Sequence, residues 1–151
     1  MGKRKSADAP STTRRLPPAW VVCLAALALP RAIWHDLGDP ATIVNLALTV
    51  CPPLVWIAVV LVRRVPNPFV ALLVVGLVYG VALGVVHELT WSTVWGDDPP
   101  SLGGNLAGAL PSGVETLVMR TFACLSSIVT GLLVGAVSGG VAFFGARLRR
   151  R

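Results

Sequence analysis

Two long apolar runs of this sequence carry a glycine at every fourth position. The first set is Gly76, Gly80 and Gly84, and the second is Gly131, Gly135 and Gly139. Residues four apart lie on one face of a helix, so each set predicts a shallow ridge along that face. In lipid no hydrophobic effect draws helices together, and close packing of small residues does much of that work. The pattern therefore predicts an intimate pair of membrane helices, either within one chain or between copies.

The composition excludes a soluble domain. Hydrophobic residues make up 54% of the 151 residues and charged residues only 13%. Several apolar runs approach the roughly 20 residues that a helix needs to cross a bilayer. We therefore predict an all-α integral membrane bundle of four transmembrane helices, with little room for anything else. The spans are expected at about residues 19–34, 42–62, 69–86 and 117–146.

The segments between the spans are read from their polar and helix-breaking residues. Residues 1–18 predict a disordered basic tail, and residues 147–151 a second basic tail. Residues 87–116 predict one long external loop, within which residues 89–95 form a short helix on the membrane surface. Pro52 and Pro53 lie inside the second span and are expected to kink it or to break its hydrogen-bond ladder.

The distribution of basic residues predicts the orientation. Of the thirteen lysines and arginines, five lie within residues 1–18, two at Arg63 and Arg64, and four within residues 147–151. These eleven residues share one side of the bilayer only if both termini are cytoplasmic, as the positive-inside rule requires. The chain is thus expected in the inner (plasma) membrane with both ends inside. Arg31 and Arg120 remain on the outer side.

Ionisable residues gather at the predicted outer ends of the spans. The cluster consists of Arg31, His35, Asp36, His87, Glu88, Glu115 and Arg120. Charges near hydrocarbon usually face protein or water, so we expect ion pairs between segments. Either arginine, Arg31 or Arg120, could pair with Glu88 or Glu115, and Arg31 to Glu88 is the first candidate. Two adjacent His–acid pairs could also bind a divalent metal, although their spacing is not a metal signature. No metal or cofactor is predicted.

A second set of polar or helix-breaking residues lies inside the spans and predicts a path for a ligand or ion. It consists of Asn45, Thr49, Pro52, Pro53, Ser127 and Thr130, with Ser126 beside them. A helix broken in mid-membrane is typical of transporter binding sites. The cysteines Cys23, Cys51 and Cys124 have no CxxC spacing and are expected to pack as small hydrophobic residues.

Two resemblances bear on these expectations. In size and span count the chain is similar to small multidrug transporters, but residues 19–29 lack the membrane-embedded glutamate on which their mechanism depends. In residues 30–38 and 102–108 the chain resembles small four-span membrane proteins of high-GC actinobacteria. That second resemblance implies the span count and no activity.

Three classes of function follow. The favoured one is a structural or accessory protein whose partners are the lipid bilayer and a second copy or a larger membrane complex, with no nucleic acid. The alternative is a transporter or channel subunit that uses the polar path between broken helices. The second alternative is an enzyme at the outer leaflet that uses the histidines and acids of the outer cluster, although no catalytic residue is assigned.

Overall fold

All regular secondary structure in the described part of the chain is helical. In the computed structural model, residues 15–36 and 42–149 are described. They form helices α1 (Pro18–Ala26), α2 (Leu29–Asp36), α3 (Thr42–Val62), α4 (Pro68–Trp95) and α5 (Ser112–Leu148), with a 3₁₀ turn at Gly104–Leu106. Three of these are long and apolar enough to cross a membrane: α3 from Ile43, α4 and α5. The all-helical membrane class predicted from the sequence is confirmed at this level.

The first apolar segment, predicted as one helix over residues 19–34, is two short helices. The chain leaves the α-helix at Leu27 and Ala28, where the Ala28 N–H donates to the Ala25 carbonyl instead of that of Leu24. Pro30 explains the break, because its ring would clash with the carbonyl four residues earlier in a continuous helix. In the structure Pro30 occupies the first turn of α2, where proline is tolerated.

Helix α3 continues through Pro52 and Pro53, so the two prolines do not end it. The Thr49 hydroxyl donates to the carbonyl of Asn45 at 2.6 Å, one turn before the prolines. Pro52 is buried against the rest of the bundle. Membrane helices tolerate proline when other groups and local adjustment satisfy the freed carbonyls. Packing here outweighs the local tendency of two prolines to end a helix.

Helices α4 and α5 are longer than the predicted spans 69–86 and 117–146. Helix α4 runs on through residues 89–95, so the expected separate surface helix is its continuation, and it ends where Gly96 adopts a φ of 50°. With 28 and 37 residues, α4 and α5 are about 42 and 55 Å long. A hydrocarbon core is only about 30 Å thick. Both helices therefore extend well beyond it.

The two glycine sets face each other where α4 packs against α5. A Cβ atom placed on Gly76 would overlap the carbonyl oxygen of Gly131 and lie 2.7 Å from the Cα of Gly135. A Cβ on Gly80 would lie 2.8 Å from the carbonyl oxygen of Ser127. These separations are shorter than van der Waals contact, so the backbones can approach this closely only without side chains. The helices pack within one chain through these residues.

The first segment lies antiparallel to α3 along its length. Arg63, just after α3, stacks its guanidinium over the ring of Trp20, 3.8 Å from the centroid. Farther along, Trp56 donates to the Leu24 carbonyl at 2.7 Å, and beyond it Arg31 donates to Asn45 at 3.3 Å. The segment thus covers the same depth as α3. The break at Ala28 leaves the Leu24 carbonyl without its N–H partner in the helix, and the indole N–H of Trp56 takes that partner's place.

Helix α3 ends in a Schellman motif with an arginine where glycine is usual. The Val65 N–H donates to the Val60 carbonyl, and the Arg64 N–H donates to that of Leu61. Arg64 has a φ of 51°, a left-handed conformation that costs a residue with a Cβ about 1 kcal/mol or more. The turn brings α4 back beside α3 and leaves Arg63 and Arg64 at one end of the bundle.

Candidate functional site

A polar groove lies between α2 and α5, with α4 as its floor. Helix α2 packs against α3 and α4, and within the described residues it has no contact with α5. The space between them is a cavity of about 220 Å³. It is lined by Arg31, Ala32, Leu83, His87, Ser126, Ser127 and Thr130. The groove is not closed by a contact between α2 and α5 in the described part of the chain.

Arg31 provides the positive charge of the groove. It is the third residue of α2 and is half-buried, with Nε 3.3 Å from the Oδ1 atom of Asn45 on α3. Its guanidinium also lies near the hydroxyl of Tyr79 on α4. Two neighbouring helices therefore hold the group in place. A guanidinium has five N–H donors, so some remain for a ligand in the groove.

The α5 wall of the groove contributes hydroxyl groups. Ser127 is buried and donates to the Ala123 carbonyl at 2.8 Å, while Ser126 donates to the same carbonyl at 3.0 Å. Each hydroxyl uses its proton within the helix and keeps acceptor lone pairs. The groove therefore offers donors from Arg31 on one wall and acceptors on the other. This pairing suits a neutral polar or hydrogen-bonding group better than a bare ion.

An aromatic cavity adjoins the groove at His87 and Ser126, which line both. It has a volume of about 460 Å³ and lies between the extended ends of α4 and α5, beneath Pro100 of the connecting loop. Its lining is largely apolar and includes Trp91, Val94, Trp95, Met119 and Phe122. The groove and the aromatic cavity together form one site, which is polar beside α2 and apolar toward the loop between α4 and α5.

The ion pair of this region joins Glu88 to Arg120, not to Arg31. Arg120 Nε lies 2.8 Å from Glu88 Oε2, and its guanidinium stands 5.4 Å from the Trp91 ring centroid. Cys124 Sγ contacts the other carboxylate oxygen at 3.6 Å. The two charged side chains are 40% and 33% exposed, so the pair is worth about 1 kcal/mol or less. It ties the C-terminal part of α4 to α5.

The predicted outer cluster is thus divided into separate contacts. Glu115 accepts from the Leu102 N–H at 2.6 Å, which fastens the loop to the start of α5. Arg31 bonds to Asn45, which corrects the expected pairing with Glu88. The side chains of His35 and Asp36 lie outside the described part. In the residues described, no three His, Cys, Asp or Glu side chains are grouped to hold a metal ion.

The predicted polar path is brought together only in part. Ser127 and Thr130 line the groove, and Asn45 reaches it through Arg31. Thr49 is exposed and bonds to its own helix, while Pro52 packs in the interior. Toward the basic end the interior is filled by buried apolar side chains, namely Trp56, Val60, Leu72 and Val75. The polar groups therefore end partway along the bundle.

Sequence reasoning missed Trp56 and Tyr79, which support the groove from below. Their rings pack edge to face with centroids 6.0 Å apart, and both are buried. The signal was present in the sequence. A tryptophan or tyrosine far from the membrane interface must find a partner for its N–H or O–H inside the protein.

Comparison of the chain with protein families, curated proteins and solved structures gave no match.

Proposed function

We propose that this chain is an accessory protein of the cell membrane that binds a polar group of a partner membrane protein in the groove between α2 and α5. The observation that carries the proposal is the form of the groove. Within the described residues α2 and α5 do not close it, it offers Arg31 and two serine hydroxyls, and apolar side chains fill the bundle beyond it. Polar groups facing hydrocarbon are costly, so such a groove favours a partner segment that supplies hydrogen bonds.

The proposal includes four membrane crossings with both termini in the cytoplasm. The first segment, Pro18–Trp34, has enough residues for about 25 Å of helix and contacts α3 and its C-terminal end at Trp20, Leu24 and Arg31. That depth supports its crossing with the three longer helices. The arginines at 15, 63, 64, 147 and 149 lie toward one end, whereas Glu88, Asp97, Asp98 and Glu115 lie toward the other. This separation supports an inward-facing basic end.

An accessory role fits the bundle better than a conducting one. The backbones of α4 and α5 touch through their glycines, so no lumen separates these helices. The groove meets buried apolar side chains before the basic end. A channel would need a polar path on both sides of this barrier.

Crosslinking from two adjacent positions of α5 tests the proposal. A photoreactive amino acid at Thr130 would lie in the groove, whereas one at Val129, which is 54% exposed, would face outward at the same depth. Irradiation of intact cells should give a discrete crosslinked protein from position 130 that Arg31→Gln abolishes. Position 129 should give only diffuse products. The same discrete product from both positions, or none from position 130, would overturn the proposal.

A second candidate is a subunit that transports a small anion, favoured by the positive charge of Arg31 in the groove that adjoins the aromatic cavity. It requires a rearrangement that opens the apolar barrier below the groove. Chloride efflux from proteoliposomes containing the protein, lost in Arg31→Gln and retained in Arg120→Gln, would favour this candidate. Efflux equal to that of protein-free liposomes would dismiss it for this ion.

A further inference from the structure

A second cavity lies at the opposite, basic end of the bundle. It has a volume of about 370 Å³ and is bounded by the end of α3, the turn into α4 and the last turns of α5. Arg64 and Arg149 provide its charged groups, and Val60, Val65, Pro68 and Ala146 provide apolar walls. None of these residues belongs to the groove between α2 and α5. The cavity therefore combines cationic and apolar surface at the end of three membrane helices.

The two cavity arginines are connected to the end of α3 in different ways. Arg149 Nη1 donates to the Leu61 carbonyl at 3.2 Å, which places the guanidinium beside the cavity, and a guanidinium has five N–H donors in all. Arg64 occupies the left-handed position of the Schellman motif, with a φ of 51°. Glycine would fit that position without strain. A strained residue that also contributes a charge to a cavity is a reason to look for a ligand.

The neighbouring arginines are engaged elsewhere. Arg63 stacks on Trp20 at 3.8 Å, and Arg147 stacks on Phe143 at 4.6 Å. Within residues 15–36 and 42–149, the acidic side chains whose contacts are described lie toward the other end of the bundle. The cavity thus has two guanidinium groups and a positive surround. An anion is the complementary ligand.

We propose that this cavity binds the phosphate of an anionic phospholipid from the leaflet at the basic end. Guanidinium groups bind phosphate oxygens with paired, charge-assisted hydrogen bonds. Basic pockets between membrane helices at this level are suited to anionic headgroups. The apolar walls and the position beside the hydrocarbon favour a lipid over a free phosphate ion. The glycerol backbone of the phospholipid lies against Val65, Pro68 and Ala146.

Lipid-dependent thermal stability tests this site, with Arg64→Gly as the main variant and Arg147→Gln as a control with the same change in charge. Purified full-length protein in neutral detergent is melted with added phosphatidylglycerol, phosphatidylcholine or inorganic phosphate at constant ionic strength. Phosphatidylglycerol should raise the wild-type melting temperature by about 5 °C, and phosphatidylcholine should not. Arg64→Gly should melt higher than the wild type without lipid, because glycine relieves the strain.

The variants separate a specific site from general charge attraction. Arg64→Gly and Arg149→Gln should bind phosphatidylglycerol about tenfold more weakly, while Arg147→Gln should respond like the wild type. Equal losses of phosphatidylglycerol affinity in Arg64→Gly and Arg147→Gln would show that the total positive charge governs binding, and would overturn the site. A full response to inorganic phosphate alone would overturn the lipid as its ligand.

Discussion

At the scale of single residues, the break in the first segment and the indole of Trp56 form one structural unit. Pro30 disfavours a continuous helix, the turn at Leu27 and Ala28 releases the Leu24 carbonyl, and Trp56 donates to it at 2.7 Å. Trp56 is fully buried, so water cannot replace this bond. An unsatisfied buried carbonyl costs about 1–3 kcal/mol.

Replacing Trp56 by phenylalanine should therefore lower the free energy of unfolding by about 1–3 kcal/mol, since the ring contact with Tyr79 survives but the N–H is lost. The measurement is a melting curve in detergent. Trp20→Phe is the matched control, because that tryptophan is 37% exposed and donates no described hydrogen bond. Equal melting temperatures for the Trp56 variant and the wild type would show that this bond contributes nothing.

The Glu88–Arg120 pair predicts a measurable coupling energy. Single replacements of Glu88 by Gln and of Arg120 by Gln should each lower the melting temperature, and the double variant should lose less than their sum. A half-exposed pair gives a coupling of about 0.5–1 kcal/mol. A double-mutant cycle of Arg31 and Glu88 is the control. Its two single losses of stability should add, because Arg31 bonds to Asn45. Coupling in the control cycle instead would contradict these contacts.

At the scale of elements, α4 and α5 form the most closely packed pair of the bundle. Gly76, Gly80, Gly131 and Gly135 each lie where a Cβ would meet backbone atoms of the other helix at 3.0 Å or less. Gly140, next to Gly139, would place a Cβ in open space, and Gly84 would place it 3.6 Å from Cys124 Cα. The packing therefore depends on particular glycines within the same helices.

Alanine substitutions should follow these distances. Gly76→Ala should reduce stability by about 1–3 kcal/mol, because backbone atoms cannot move aside as a flexible side chain does. Gly84→Ala should be close to neutral, and Gly140→Ala should be neutral or slightly stabilising. Melting temperatures in detergent provide the measurement. Similar losses at positions 76 and 140 would mean that helix propensity, and not contact with α5, governs the effect.

At the scale of the whole molecule, the bundle has a basic end and an extended opposite end. Helices α4 and α5 exceed a hydrocarbon core of about 30 Å, and the ion pair, the aromatic cavity and the connecting loop lie in their extension. In the proposed orientation, this extension faces the outside of the cell. The groove with Arg31 then lies near the outer boundary of the hydrocarbon.

Cysteine labelling tests that orientation. In a variant without the three native cysteines, a cysteine at position 101 should react with an impermeant maleimide added to intact cells, because the loop is expected outside. A cysteine at position 6 should react only after the cells are opened. Labelling of position 6 in intact cells, with position 101 protected, would reverse the orientation.

The sequence by itself determined the helical membrane class and the close approach of two helices. Long apolar runs must satisfy their backbone hydrogen bonds internally, and a helix does this locally, so composition and length suffice for the class. Glycines four apart on two such runs likewise leave a ridge without side chains. The start of α3 at Thr42 and its end at Val62 also followed from the polar and basic residues that flank it.

Tertiary structure decided which polar groups meet. Arg31 has Asn45 and Tyr79 as neighbours because the chain turns at Leu27 and Ala28 before α2 begins, and Glu88 reaches Arg120 because α4 continues past Val86. It also decided that α3 stays helical through Pro52 and Pro53. Side-chain partners 14 or 32 positions apart depend on how helices rotate and pack against one another. Local sequence patterns contain the period of one helix, but not its rotation relative to another.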